Sequence, residues 1–346
     1  MSNKYISKKD FAPWVASLVK EHELHGPVSK KSKFVLGRIT NVEQLQLQYD
    51  YVMLPPKQYI FPTYQDMLKF DAQGLQQDIQ PQERVLFGIH PYDIVAINQL
   101  DILFTENKED VYWTANRAAL TIIGSNVINH SPAAFFGSMN SWKPKTGFDI
   151  FLTDIGDGYV AEVATEKGSS LLNNSFTDAT ETQITDAETT NRTAAENCPQ
   201  KIAGAQLNNE TQLKEIAQKT IAQYDSNLWH ELSERCFSCG TCNLVCPTCY
   251  CFDVQDVWNL DGVSGKRYRR WDGCLTREFS EATIQGGHHN FRNEREERYR
   301  HRIMRKLAYL NTKLGGPACV GCGRCTIGCT ANIANPLDTV VKVQGA

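Results

Sequence analysis

The sequence predicts an α+β fold: an N-terminal α/β domain with a mixed sheet, joined to a mainly helical C-terminal domain organised by cysteines. Three observations carry that expectation. Short apolar runs of strand length recur through residues 30–172, and one of them leads straight into a helical pattern. A polar, Thr- and Asn-rich stretch, NNSFTDATETQITDAETTNRTAAEN, then breaks the pattern over 173–205. All twelve cysteines come late, with none before Cys198. The chain therefore divides into an α/β docking domain over 1–172, a polar linker or excursion over 173–205, and a cysteine domain over 206–346 with an insertion at 252–312.

Taken in order, VLFGI at 85–89 reads as a buried strand running into HPYDIVAINQLDILF. There Pro91 suits a first helical turn, and Ile94, Ile97 and Leu100 share one face. ALTIIGSNV at 119–127 and FDIFLTDIG at 148–156 are further strands, and GDGYVAEV at 156–163 returns as a hairpin through Asp157-Gly158. Residues 173–205 are exposed and partly helical. NEREERYRHRIMRKLAYL at 293–310 reads as a helix whose alternating charges predict a solvated, salt-laced face.

With 41% hydrophobic and 22% charged residues, 346 residues suit an ordinary globular chain of two domains. The start, MSNKYISKKDFAPW, has no apolar signal region, so the cysteines are expected in the reducing cytoplasm rather than as disulfides. No run approaches the roughly 18 apolar residues a membrane helix needs. A formal charge of −3 argues against a general nucleic-acid binder. The sequence holds no G-x-S-x-G, no phosphate-binding Walker loop and no well-placed G-x-G-x-x-G, so no catalytic residue and no nucleotide site is expected. His90 reads as a strand-end hydrogen-bonding residue, and Glu162, Glu166 and Lys167 as a surface hairpin and helix start.

The chemistry lies in CFSCGTCNLVCPTCYC at 236–251, six cysteines in sixteen residues. Cys236, Cys239, Cys242 and Cys246 follow the spacing C-x2-C-x2-C-x3-C-P, and Cys319, Cys322, Cys325 and Cys329 repeat it with threonine in place of the final proline. Zinc would take paired C-x2-C knuckles and leaves this repeat unexplained. In the two-cluster ferredoxin arrangement, three close thiolates serve one cubane and the fourth cysteine of each run serves the other. The expectation is a ferredoxin-like dicluster domain with Cys236, Cys239, Cys242 and Cys329 on one [4Fe–4S] cluster and Cys319, Cys322, Cys325 and Cys246 on its twin. Gly240 and Gly323 would let backbone amides approach the sulfides.

Cys249 and Cys251 are surplus to that frame, and Cys274 joins them from a distance. The three either supply thiolates to a third metal or cluster site, completed by Cys198, Asp253, His288, His289 or a partner residue, or pack as small apolar groups beside the clusters. Lys266 to Lys306 holds twelve Lys/Arg against six Asp/Glu. Within it Arg267, Arg269 and Arg270 are candidates to offset cluster charge or to dock an acidic electron partner.

WHELSERCFSCGTCNLVCPTCYCFDVQD, YRRWDGC, GGHHNFRNER and CVGCGRCTIGC together resemble the iron–sulfur β-type subunit shared by soluble NiFe hydrogenases (sulfhydrogenases) and anaerobic sulfite reductases. The likeness continues upstream through PPKQYIFPTYQDMLKF, FGIHPYDIVAI and GFDIFLTDIGDGYVAEV. The resemblance implies an electron-transfer subunit between a flavoprotein that handles NAD(P)H and a subunit carrying the catalytic metal. A hydrogenase complex is the first reading; a sulfite reductase complex and a structural or assembly scaffold are the alternatives. It also implies an extra N-terminal cluster in many relatives, at positions held here by Tyr92, Val127, Ala134 and Phe136, none of which is a thiol. This chain is expected to lack that cluster, leaving its first 197 residues as a docking platform.

Overall fold

The computed structural model describes residues 2–345. The chain opens with β1 (Ser2–Ser7) and α1 (Lys8–Glu21), whose first turn is capped by the Ser7 hydroxyl accepting from the Asp10 amide at 3.3 Å. β2 (Leu24–Lys30) and β3 (Lys33–Arg38) follow as one hairpin, and β4 (Tyr64–Asp71) and β5 (Gly74–Gln77) as a second. β6 (Arg84–Ile89) leads into α2 (Pro91–Thr105), with Pro91 at the first helical position, as the sequence predicts. α3 (Val111–Ala119) is capped by Asp110, whose carboxylate accepts from the amides of Tyr112 and Trp113. β7 (Leu120–Ser125), β8 (Ile150–Asp154) and β9 (Gly158–Val163) complete the predicted strands, with β8 and β9 antiparallel.

All of these strands except β4 and β5 join in one mixed eight-stranded sheet, completed by β10 (Thr177–Asp178), in the order β10-β1-β9-β8-β7-β6-β2-β3. The β2-β6-β7-β8 neighbours are parallel and the outer pairs antiparallel. The central strands are buried on both faces, which explains why β6 and β7 are continuous apolar runs rather than alternating ones. One face packs on α1 through Trp14, Val15 and Leu18; the other packs on α2 and α3 through Ile94, Ile97, Leu100 and Trp113. β1 was not legible, because SNKYIS offers one fully buried apolar residue, Ile6, and no alternation.

α4 (Glu166–Ser170) precedes the polar stretch, which contains β10 and a 16-residue helix, α5 (Glu181–Glu196), begun by a Thr180/Gln183 capping box. α5 lies on the sheet, with Ala187 and Ala195 buried and Asn191 donating to the Thr153 hydroxyl at 2.9 Å.

The remaining chain forms α6 (Glu210–Ala222), α7 (Leu228–Ser233), the one-turn α8 (Thr241–Leu244), and a hairpin of β11 (Phe252–Trp258) and β12 (Gly265–Trp271). A small hairpin, β13 (Glu281–Ile284) and β14 (Gly287–Asn290), precedes α9 (Arg295–Leu307), α10 (Asn311–Leu314), the one-turn α11 (Arg324–Ile327) and α12 (Pro336–Gln344). β12 pairs with β4 from Gly265 opposite Phe70 to Arg270 opposite Tyr64, so a four-stranded antiparallel sheet, β11-β12-β4-β5, combines strands from both halves of the sequence. Buried Arg269 pins that sheet: it pairs with Asp110 and Gln65, and its guanidinium sits 4.9 Å from the Phe61 ring centre.

The helical reading of 293–310 agrees with α9, but its solvated face does not. Arg298, Arg302 and Lys306, spaced four residues apart, form one buried stripe with Tyr299, Ile303 and Leu307 beside it. Long-range partners that receive these cations outweigh the local charge pattern.

His90, at the end of β6, is fully buried, stacked on Tyr49 at 3.9 Å and 2.6 Å from the Tyr92 hydroxyl. Burial, with Arg324 nearby, holds its imidazole neutral well below the ordinary range. The unfolded chain takes up this proton first as pH falls. Stability is therefore full above about pH 6.5 and declines below it, by up to about 1.4 kcal/mol per pH unit for this one residue. His90→Phe keeps the stacked ring and should flatten that slope in melts run between pH 5.5 and 7; an unchanged slope would place the proton uptake elsewhere.

Candidate metal centres

Both cysteine runs fold into the same local structure. Ser238 and Gly321 hold the equivalent left-handed position before the second cysteine, with φ +53° and +66°. Gly240 and Gly323 repeat it at +72° and +77°, each opening a one-turn helix. The backbone bonds match: Asn243 N to Gly240 O at 2.8 Å and Thr326 N to Gly323 O at 3.1 Å, then Cys246 N to Asn243 O at 3.2 Å and Cys329 N to Thr326 O at 3.3 Å. The sequence repeat is thus a structural repeat, with α8 packed on α11. Glycine has a second reason to stand at 321 and 323. A Cβ there would fall 2.7 Å from the Phe135 carbonyl carbon and 2.5 Å from that of Ala133, so the second loop lies directly on the N-terminal half.

Two cavities open inside the repeat. Cys236, Cys239, Cys242 and Cys329 ring the first, together with Leu275, Tyr299 and Ile333. Cys246, Cys319, Cys322 and Cys325 ring the second, together with Phe135, Arg302 and Lys306. Each ring therefore takes three cysteines from one run and one from the other. The first lies near the surface, with Cys239 exposed and Phe237 70% exposed, whereas Cys246, Cys322 and Cys325 are buried. Burial pushes the thiols of Cys242 and Cys319 up to about 12, so they keep their protons until a metal replaces them. Cys246 is held well below its ordinary range by a hydrogen bond from Cys249 and by the charges of Lys306 and Arg302.

Four soft sulfurs around a partly apolar pocket, joined in the second ring by two cations, suit a cubane held by thiolates. Four thiolates on one zinc would stand about 3.8 Å apart, given a Zn–S bond of about 2.3 Å. Among the described residues no group of three or more His, Cys, Asp or Glu side chains is placed to hold a single ion.

None of the surplus cysteines lines either cavity, and they lie beside cysteines of both rings. Cys249 shares a hydrogen bond with Cys246, and Cys274 Sγ accepts from Asn243 Nδ2 at 3.3 Å. Burial, and then the neighbouring Cys274, pushes Cys251 up to about 11. Lys57 Nζ donates to the Cys249 carbonyl and lies 4.2 Å from the Trp271 ring centre, and burial lowers it to about 8. The candidate completing residues have partners of their own: Cys198 accepts from the Gly137 amide, Asp253 pairs with Arg270, and His288 pairs with Glu281. His289 is exposed.

Arg267, Arg269 and Arg270 are engaged by Asp256, Asp110 and Asp253. The cations lining a cysteine ring are instead Arg302 and Lys306, which the sequence reading passed over. Their signal was present as three basic residues, Arg298, Arg302 and Lys306, at i, i+4 and i+8.

Tyr92, Val127, Ala134 and Phe136 come together in one buried apolar cluster with Val320 and Cys322. Tyr92 and Phe136 fill its centre, ring to ring at 5.4 Å. Glu162 is half-buried, with its carboxyl raised by burial, and lines an outer cleft with Lys143 and Glu188. Among the described residues no helix is long and apolar enough to cross a membrane.

Residues 235–333 match the family model of the 4Fe-4S dicluster domain. Along 313 residues, the chain is 31% identical to sulfhydrogenase 2 subunit beta of Pyrococcus furiosus, covering 90% of this chain and 89% of that protein. No solved structure matches. With the duplicated cysteine loop, the dicluster match and a likeness running nearly end to end, the chain belongs to the family of iron–sulfur β-type subunits of the sulfhydrogenases, proteins of iron–sulfur electron transfer.

Proposed function

We propose that the chain relays electrons through two [4Fe–4S] clusters, between a flavoprotein that oxidises NAD(P)H and a subunit carrying a catalytic metal, within a cytoplasmic soluble NiFe hydrogenase complex. The observation that carries this reading is the pair of four-cysteine rings, one near the surface and one inside. Cys236, Cys239, Cys242 and Cys329 would hold the outer cluster, and Cys319, Cys322, Cys325 and Cys246 the inner one. Each cluster would supply a site that accepts and returns one electron without gaining or losing atoms. The chain's own part is to position the thiolates, keep water from the inner ring, and set buried cations against its negative charge. The exposed edge at Cys239 offers the route by which electrons cross to a neighbour. The N-terminal sheet serves as the platform that fixes this edge in a complex.

Anaerobic purification followed by stepwise reduction tests the reading. About eight irons and eight sulfides per chain, reversible reduction at low potential, and co-purifying flavin- and nickel-containing subunits are expected. Clusters that resist reduction would make the chain a structural scaffold.

For Cys249, Cys251 and Cys274 the hydrogen bonds to Cys246 and Asn243 favour packing that supports the inner ring. Cys274→Ala should then keep the full iron content and an unchanged visible spectrum. Release of metal with both cubanes intact would establish a third site.

A further inference from the structure

The two rings differ in what faces them. Around the outer ring the side chains other than cysteine are neutral, among them Phe237, Leu275, Tyr299 and Ile333. Arg298, the residue of the α9 stripe nearest that ring's loop, spends its donors on the carbonyls of Leu275, Arg292 and Asn293 and on the Ser238 hydroxyl. Arg302 and Lys306 line the inner ring directly. Lys306 Nζ donates to Thr248 at its carbonyl, 3.1 Å, and its hydroxyl, 2.8 Å. Arg302, 1% exposed, donates from Nε to Asn243 Oδ1 at 3.1 Å and from Nη2 to the Cys242 carbonyl at 3.3 Å. Its Nη1 is buried with no partner.

An interior guanidinium N–H left unpaired costs on the order of 1–3 kcal/mol, so it is expected to meet an acceptor. The ring it lines holds four cysteine sulfurs. A thiolate-held cubane is negative and becomes more negative on reduction, so a fixed cation and a hydrogen bond to sulfur both favour its reduced state.

We propose that Arg302 and Lys306 make the inner centre the more readily reduced of the two, with Arg302 Nη1 donating to one of its sulfurs, so that electrons entering at the exposed Cys239 edge settle inward. This inference rests on the two-cluster reading above. The electron that one centre loses is the electron the other gains; no bond breaks, and Arg302 keeps its proton. Arg302 and Lys306 are positioning residues here, since they bias a transfer that the clusters carry.

Full-length chain is titrated potentiometrically under anaerobic conditions, with paramagnetic resonance following both midpoints. Lys306→Gln removes a charge, Arg302→Lys keeps the charge but loses the fork, and Arg302→Gln removes both. In variants with wild-type iron content, the more positive midpoint should fall; the more negative one should stay for Lys306→Gln and move less than the positive one for either Arg302 change, because Arg302 also touches Cys242 of the outer ring. The fall for Arg302→Gln and for Lys306→Gln should be about a tenfold shift in the reduced-to-oxidised ratio at fixed potential, about 59 mV for one electron. Arg302→Lys should give a smaller fall in the same midpoint. If Arg302→Gln does not retain its clusters, the other two variants decide the matter. An unmoved positive midpoint in both, or movement of the negative midpoint alone, overturns the inference. A wild-type chain without reducible clusters defeats the two-cluster reading instead, before any variant is compared.

Discussion

Replacing Cys246 with alanine is expected to halve the bound iron, from about eight atoms per chain to about four. The cluster lost should be the one belonging to the distant run. By position Cys246 belongs with Cys236, Cys239 and Cys242, yet its sulfur rings the cavity of Cys319, Cys322 and Cys325. Alanine is preferred to serine because a serine oxygen could still ligate iron. Pairing the substitutions identifies the centre without spectral assignment. Cys246→Ala combined with Cys322→Ala should lose no more iron than either change alone, because both strip one cluster. Combined with Cys239→Ala, the losses should add, leaving almost none. If the Cys246 and Cys239 changes do not add, Cys246 serves the outer ring and the crossed assignment fails. Iron and sulfide assays on anaerobically purified protein are sufficient.

The local parts of this architecture were readable because their causes are local. The run from β6 into α2 announces itself through the apolar run VLFGI, Pro91 and a spacing of three between Ile94, Ile97 and Leu100. The cysteine loops do so through an exact repeat of spacing. Features that depend on a distant partner left no such mark. β12 pairs with β4 although Arg270 and Tyr64 are about two hundred residues apart, and neither strand alternates cleanly enough to name its neighbour. α9 reads as a solvated helix because Glu and Arg alternate along it, and only the fold brings Asn243, Cys242 and Thr248 to receive Arg302 and Lys306. The stretch around α5 looks like a linker because the buried residues of the helix are two alanines, Ala187 and Ala195. Small residues bury well against a sheet but give little periodic signal.

The same contrast frames the second large effect. Asp93 on α2 and Arg324 on α11 form a bidentate pair, both bonds at 2.6 Å, with each side chain 1% exposed. Arg324 also donates to the Val52 carbonyl at 2.8 Å, and it stands between two cysteines of the inner ring, Cys322 and Cys325. The pair thus ties the second cysteine loop to the N-terminal sheet, beside the bonds from Phe135 N to Gly321 O and from the Ser141 hydroxyl to Val320 O. Asp93→Ala leaves a guanidinium buried without its counter-charge, which costs about 3–5 kcal/mol. In a chain of this size that lowers the melting temperature by on the order of 10 °C. The inner ring should then release iron at lower temperature than the outer one, since the loop carrying Cys322 and Cys325 loses its seat. Removing both charges at once, as Asp93→Leu with Arg324→Met, should recover most of the loss, because an apolar pair of similar volume has no unpaired charge to desolvate. Thermal melts of the three iron-loaded proteins, followed at the cluster absorbance and by circular dichroism, separate the outcomes. A single Asp93 variant as stable as the parent would mean that the N-terminal half holds the cluster loop by packing alone, and that the ion pair contributes nothing to the join.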